Sequence, residues 1–179
     1  MKYFIEIGSN SYDTLVDLCK EDEWIGVLVE PLKKYFDKIE KVHNCFYENI
    51  AITENGGKYK FYYYDHPSAA GWGTLEKDHL KKLTHLSSND PICVEVDSMT
   101  IKELFNKYKF PQIDYLKIDT ESYDAKIIKS IDFNQIEIKK IKFEIAHLSI
   151  KEIEETLEIL KINNFKELII ENDNAIVQK

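Results

Sequence analysis

The residues best placed to do chemistry sit where strand-like runs end. "KYFIEIGSNSYDT" (2–14) runs from apolar residues straight into Glu6, Gly8, Ser9 and Asn10. A glycine there lets the backbone turn tightly and approach a ligand without a Cβ in the way. Amide groups opening the next helical segment, near Ser11 or Tyr12, would point at an anion, and Glu6 offers a fixed negative charge to a cationic ligand group. Glu30 closes the second run, "IGVLVE" (25–30). A carboxylate at that place can accept hydrogen bonds from both hydroxyls of a ribose.

A ligand carrying a ribose, a carboxylate and an ammonium group fits both acids, and S-adenosylmethionine has all three. NAD fits less well, because its pyrophosphate asks for G-x-G-x-x-G, whereas positions 10 and 13 are Asn and Asp. A second group lies later. Asp119 ends "IDYLKID", Glu121 follows two residues on, Glu144 lies near the end of "KKIKFEI", and His147 stands just past it. Three carboxylates and an imidazole on one rim suit an in-line methyl displacement with removal of a hydroxyl proton. Asp119 is the first choice, holding the ammonium or acting as base on the acceptor side. His147 is a base by its ordinary pKa, and Glu144 orients it or the acceptor. Glu121 reads equally as a charge at a helix start.

No metal is expected: clustered carboxylates can hold Mg²⁺, but no spacing demands it, and His79 and His85 lack ligand spacing with each other. "EKDHLKKL" (76–83) reads as a solvated helix face whose lysines could meet an anionic acceptor. Trp72, between glycines in a long loop, is free to cover an adenine or an acceptor. The aromatic run Tyr59–Tyr64 reads as one packed face and one exposed face of a strand.

The elements that must position these groups alternate between strand and helix. Strands are expected at 3–7, 25–30, 45–53, 58–64, 92–96, 113–119 and 139–145, with a closing hairpin at 166–171 and 175–178. Helices are expected at 14–22, after Pro31, from the capping box Thr100-x-x-Glu103, after Asp119, and from the capping box Ser149-x-x-Glu152. The Asn55-Gly56-Gly57 turn predicts a hairpin-like continuation of the third strand, and residues 65–90 read as a long functional loop with one short helix. The order is βαβαβ, an inserted β-rich segment at about 54–97, then βαβα and a hairpin. It predicts an α/β fold in a single domain, 1–179: a mostly parallel sheet, helices on both faces and a final antiparallel strand.

Composition narrows the partners. Of 179 residues 44 % are apolar and 31 % charged, with a net charge of −8 and every cation a lysine. An acidic chain without arginine argues against an obligate nucleic-acid partner and lacks the bidentate fork common at phosphate sites. Cys19, Cys45 and Cys93 read as reduced core residues. Lys2 leads into a short run broken by Glu6 and no apolar stretch approaches 18 residues, so a cytoplasmic protein without membrane attachment is expected. An exposed β edge in the insert makes a homodimer possible.

These residues resemble the FkbM family of S-adenosylmethionine-dependent methyltransferases. "EIGSN" is similar to its acid-x-Gly-Ala-Asn opening and "VLVEP" to its Glu-Pro at the second strand. "NIAIT" is similar to its Ala-Ile segment, and "YLKIDTESYD" to its Leu-Lys-Ile-Asp-x-Glu-Gly-x-Glu block, with Ser122 and Asp124 in place of glycine and glutamate. The resemblance implies a Rossmann-like class I methyltransferase fold with a seven-stranded sheet. It implies cofactor contacts from Glu6, Gly8, Ser9, Asn10, Glu30, Pro31, Ala51 and Asp119, and catalysis by Asp119, Glu121, Glu144 and His147. The expected reaction is O-methylation of a small-molecule or glycan hydroxyl. The alternatives are a binding module that keeps the fold without turnover, and an NAD(P)-binding oxidoreductase or epimerase.

Overall fold

Apolar runs that do not alternate with polar residues form the middle of the main sheet, as strands covered on both faces must. The computed structural model describes residues 1–11, 14–82, 86 and 90–179. Strands β1 (Lys2–Ile7), β2 (Trp24–Val29) and β3 (Cys45–Glu48) pair in parallel, with β2 between the other two. On its other side β1 pairs in parallel with β7 (Tyr115–Ile118), and β7 with β8 (Lys140–Glu144). The hairpin β9 (Glu167–Glu171) and β10 (Asn174–Gln178) completes it, β10 running antiparallel to β8. The seven strands stand in the order β3-β2-β1-β7-β8-β10-β9. The order reverses beside β1, which opens a crevice at the carboxyl ends of β1 and β7.

Side chains alternate across β1. Ile5 and Ile7 join the larger core, which includes Ile101 and Leu104 of α2 (Ile101–Tyr108), Ile127 and Ile128 of α3 (Asp124–Lys129), and Leu160 of α4 (Ile150–Ile162). Phe4 faces the opposite way and packs with Val16, Cys19 and Ile39. Both faces are therefore covered. The two expected capping boxes form, Thr100 with Glu103 and Ser149 with Glu152.

Several expectations are corrected. The run at 14–22 is a 3₁₀ turn, Leu15–Lys20, and the helix after Pro31 is only α1 (Lys33–Phe36). Leu32 precedes α1 with no side-chain cap, and Tyr47 Oη holds the following chain by accepting from Val42 N–H and donating to Glu40 O. The third strand breaks at Asn49, whose side-chain amide donates to the carbonyls of Glu30 and Pro31. Beyond the break, β4 (Ala51–Ile52) enters a second sheet with β5 (Gly57–Tyr63) and β6 (Ile92–Met99). β6 lies between β4 and β5, so the Asn55-Gly56-Gly57 turn joins two strands that do not pair. Lys77–Lys82 is a 3₁₀ turn that buries His79 and Leu80, not a solvated helix face. Cys19 and Cys45 are buried, whereas Cys93 is exposed on β6. Among the described residues no helix is long and apolar enough to cross a membrane.

Candidate active site

The turn after β1 is fixed by contact with β7. Gly8 has φ +80, and a Cβ there would stand 1.8 Å from the backbone oxygen of Asp119. A side chain at this position is thus excluded by the neighbouring strand itself. Asn10 also takes a left-handed conformation, φ 52, which asparagine tolerates better than most residues. Its N–H donates to Glu30 Oε2 at 2.9 Å, and Leu32 N–H donates to Glu30 Oε1 at 2.7 Å. Glu30 is 5 % exposed. Burial pushes its pKa up to about 7, with the two amides pulling the other way.

Glu30 and Asp119 line one crevice, walled by Leu32, Tyr35, Ile52 and Phe61. Gly8, Asn10, Pro31 and Ala51 line it too. Ser9 lies in an adjoining hollow shared with Asp119, Lys117 and Glu121. Its hydroxyl donates to the Val29 carbonyl at 3.4 Å.

Glu6 is placed differently from the expectation that it offers charge to a ligand. The β1–β7 register sets it directly beside Lys117. Its carboxylate is fully buried, 3.0 Å from Lys117 Nζ, and accepts from Leu15 N–H at 2.8 Å. Glu6 therefore fixes the turn after β1 from behind. Lys117 was the missed partner; its one signal in sequence is a lysine inside the otherwise apolar run "YLKI".

The late residues converge. Ligand atoms of Asp119, Glu121 and Glu144 lie within 4.8 Å of one another, and so do those of His79, Glu121 and His147. His79 Nε2 is 3.2 Å from Glu121 Oε2, and His147 Nε2 is 3.3 Å from the same oxygen and 3.4 Å from Glu144 Oε1. Trp72 stacks on the His79 ring at 5.5 Å and tilts against His147 at 5.2 Å. It covers imidazoles, not the crevice. His79 was missed because its neighbours are lysines and acids; nothing in "EKDHLKKL" marks it as inward-facing. Tyr12 and His85 lie outside the described residues.

Below the cluster sits Asp124, fully buried, a hub that sequence reading saw only as a replacement. It accepts from Thr120 Oγ1 at 2.8 Å, Thr120 N–H at 3.2 Å and Glu144 N–H at 3.2 Å, tying the ends of β7 and β8 together. Glu121 and Ser122 have φ 52 and 88, and the Thr74 hydroxyl clamps this bend by donating to the Glu121 carbonyl at 2.7 Å.

Charge is crowded here. Burial, then Asp119 and Asp124, raises Glu121 to about 8; burial, then Glu121, Asp119 and Asp124, raises Glu144 to about 9. Burial lowers His79 and His147 to about 4, so both imidazoles are neutral at pH 7. A cation arriving at this rim would be bound by the carboxylates and would favour their ionised forms.

The groups present fit S-adenosylmethionine by donor chemistry. Each Glu30 oxygen spends one lone pair on a backbone amide, leaving acceptor capacity for a diol. Apolar walls suit a flat base, and Asp119 stands at the junction with the hollow.

Residues 6–167 match the family model described as the methyltransferase FkbM domain. A comparison with curated proteins finds no match. Among solved structures, the chain is similar to one from a fibrillarin/Nop5p complex (TM-score 0.48, 10 % identity, 98 % of this chain and 70 % of that one). It is similar as well to the METTL16 methyltransferase domain (0.48, 9 %, 98 % and 58 %). A third is precorrin-6y C5,15-methyltransferase from Geobacter metallireducens (0.45, 10 %, 98 % and 77 %).

Proposed function

The chain belongs to the FkbM methyltransferase family, and from that premise we propose that it moves the methyl group of S-adenosylmethionine to a hydroxyl of a small molecule or glycan. The supporting observation is the continuity of the site. One crevice holds Glu30 and Asp119, the adjoining hollow shares Asp119 and adds Glu121, and Glu144 and His147 meet Glu121 on its far side. When bound, the cofactor supplies an electrophilic methyl on a sulfonium.

The residues of this chain do the rest. Glu30 accepts from the ribose diol, Leu32 and Phe61 exclude water around the base, and Asp119 faces the ammonium. The acceptor enters from a depression lined by His147, Lys82 and Lys126, and Glu121 stands 3.3 Å behind the His147 ring nitrogen. Glu121 takes the hydroxyl proton: its pKa, raised to about 8, lies closer to neutral pH than that of Glu144, raised to about 9, and general-base catalysis works best near the operating pH. His147 and Glu144 orient the acceptor.

The test is to incubate the chain with methyl-labelled cofactor and pools of hydroxylated metabolites and glycans, then follow label by mass spectrometry. Label on a hydroxyl-bearing product, abolished in Glu121→Gln, supports the reading. Cofactor product bound tightly, with label in no acceptor, would favour a binding module instead.

A further inference from the structure

The proposed methyl transfer uses Glu121, Glu144 and His147 in the metal-free chain but gives no part to His79, whose Nε2 lies 3.2 Å from Glu121 Oε2. We propose that His79, Glu121 and His147 form a binding site for a divalent transition-metal cation of the zinc type. Three separate segments bring the donors together: the 77–82 turn, the bend after β7 and the loop after β8. The donor atoms are His79 Nε2, Glu121 Oε2 and His147 Nε2, with N–O separations of 3.2 and 3.3 Å. Ligands at about 2.0–2.1 Å in a tetrahedron stand about 3.3 Å apart, which these two separations match, and the three donors all lie within 4.8 Å of one another. Glu144 Oε1, 3.4 Å from His147 Nε2, is placed to follow as a fourth ligand or to leave that position to water.

Hydrogen bonding alone accounts for these contacts incompletely. His147 Nε2 lies almost equally close to oxygens of Glu121 and Glu144, so two carboxyl groups converge on one ring nitrogen. Glu144 Oε2 and His79 Nδ1 are buried with no hydrogen-bond partner. The His79 side chain is 2 % exposed, which makes an adventitious surface histidine the wrong description. Nearby cations are engaged elsewhere: Lys126 pairs with Glu76, and Lys82 donates to the His147 carbonyl. Two imidazoles with one carboxylate select zinc or its neighbours, whereas Mg²⁺ and Ca²⁺ prefer oxygen alone. Trp72 lies against both rings and supplies an apolar shell that holds their orientation.

The experiment needs no cofactor or acceptor, so its failure is separable from failure of the methyltransferase reading. The metal-stripped full chain is titrated with ZnCl₂ by calorimetry, with MgCl₂ as competitor. One Zn²⁺ per chain is expected, weakened at least 100-fold in His147→Ala and in His79→Ala and unmoved by Mg²⁺. X-ray absorption on the zinc-loaded wild type, which depends on no variant folding, should report two imidazole nitrogens and oxygen at about 2.0–2.1 Å. Absence of stoichiometric binding overturns the proposal. So does equal affinity in His147→Ala, competition by Mg²⁺, or sulfur in the shell, which would point to Cys19 and Cys45.

Discussion

The two ends of the site are finished to different degrees. At Glu30 each carboxylate oxygen receives a backbone amide, and at Asp124 three donors converge on one side chain. At the rim, Glu121 and Glu144 share one imidazole nitrogen, and a buried Glu144 oxygen has no hydrogen-bond partner. The first arrangement is satisfied by the fold itself and is preorganised. The second carries an unpaired buried oxygen, which is costly, and would gain from a ligand that arrives. A ligand-binding end and a reacting end differ in this way: one must keep its shape, the other must gain by the encounter.

The largest effect should come from breaking the satisfied end. Asp124→Ala strands two buried amides and the Thr120 hydroxyl, and should cost about 3 kcal/mol in denaturant unfolding. A loss below about 1 kcal/mol would mean that Asp124 is no hub. Glu30→Ala should cost about 2 kcal/mol by the same measurement, since two amides lose their acceptor.

With pH the two ends should respond in the same direction, Glu30 being raised to about 7 and Asp124 to about 6, but the rim should respond over a wider range. Glu144 and Glu121 titrate higher in the folded chain than in the unfolded one. Their contribution is therefore fully present below the ordinary carboxylate pKa and is lost as pH rises towards about 8 and 9. The ligand-free chain should melt lower at pH 8.5 than at pH 6, and Glu144→Gln should flatten that fall. The lowered imidazoles act oppositely, taking stability away as pH drops from 6.5 towards 4. A melting curve flat from pH 7 to 8.5, above the Glu30 pKa of about 7, would contradict the crowding at the rim. The smallest effect concerns the bend between the two ends: Ser122 has φ 88, and Ser122→Gly should raise stability by about 1 kcal/mol.

What could be read in advance follows the range of the physics. The alternation of strands and helices along the chain and both capping boxes were legible because they rest on local periodicity and on side chains three residues apart. Gly8, Asn10, Glu30 and Asp119 were legible as a group because strand ends in an open sheet converge on one edge. Glu6 was misjudged for a long-range reason: its partner Lys117 is set by the β1–β7 register, which no local pattern encodes. His79 and the split of residues 45–53 between two sheets failed likewise. The side-chain amide of Asn49, bonded to the backbone of residues 30 and 31, decides where the third strand ends.

The most direct measurement is calorimetric titration of S-adenosylhomocysteine into the wild type and Glu30→Gln, which keeps one carbonyl acceptor. Saturable one-to-one binding, weakened about tenfold or more by the substitution while the fold is retained, is the expected result. No heat with the wild type, or equal affinity in both, would mean that Glu30 and its crevice hold something other than the methyl donor.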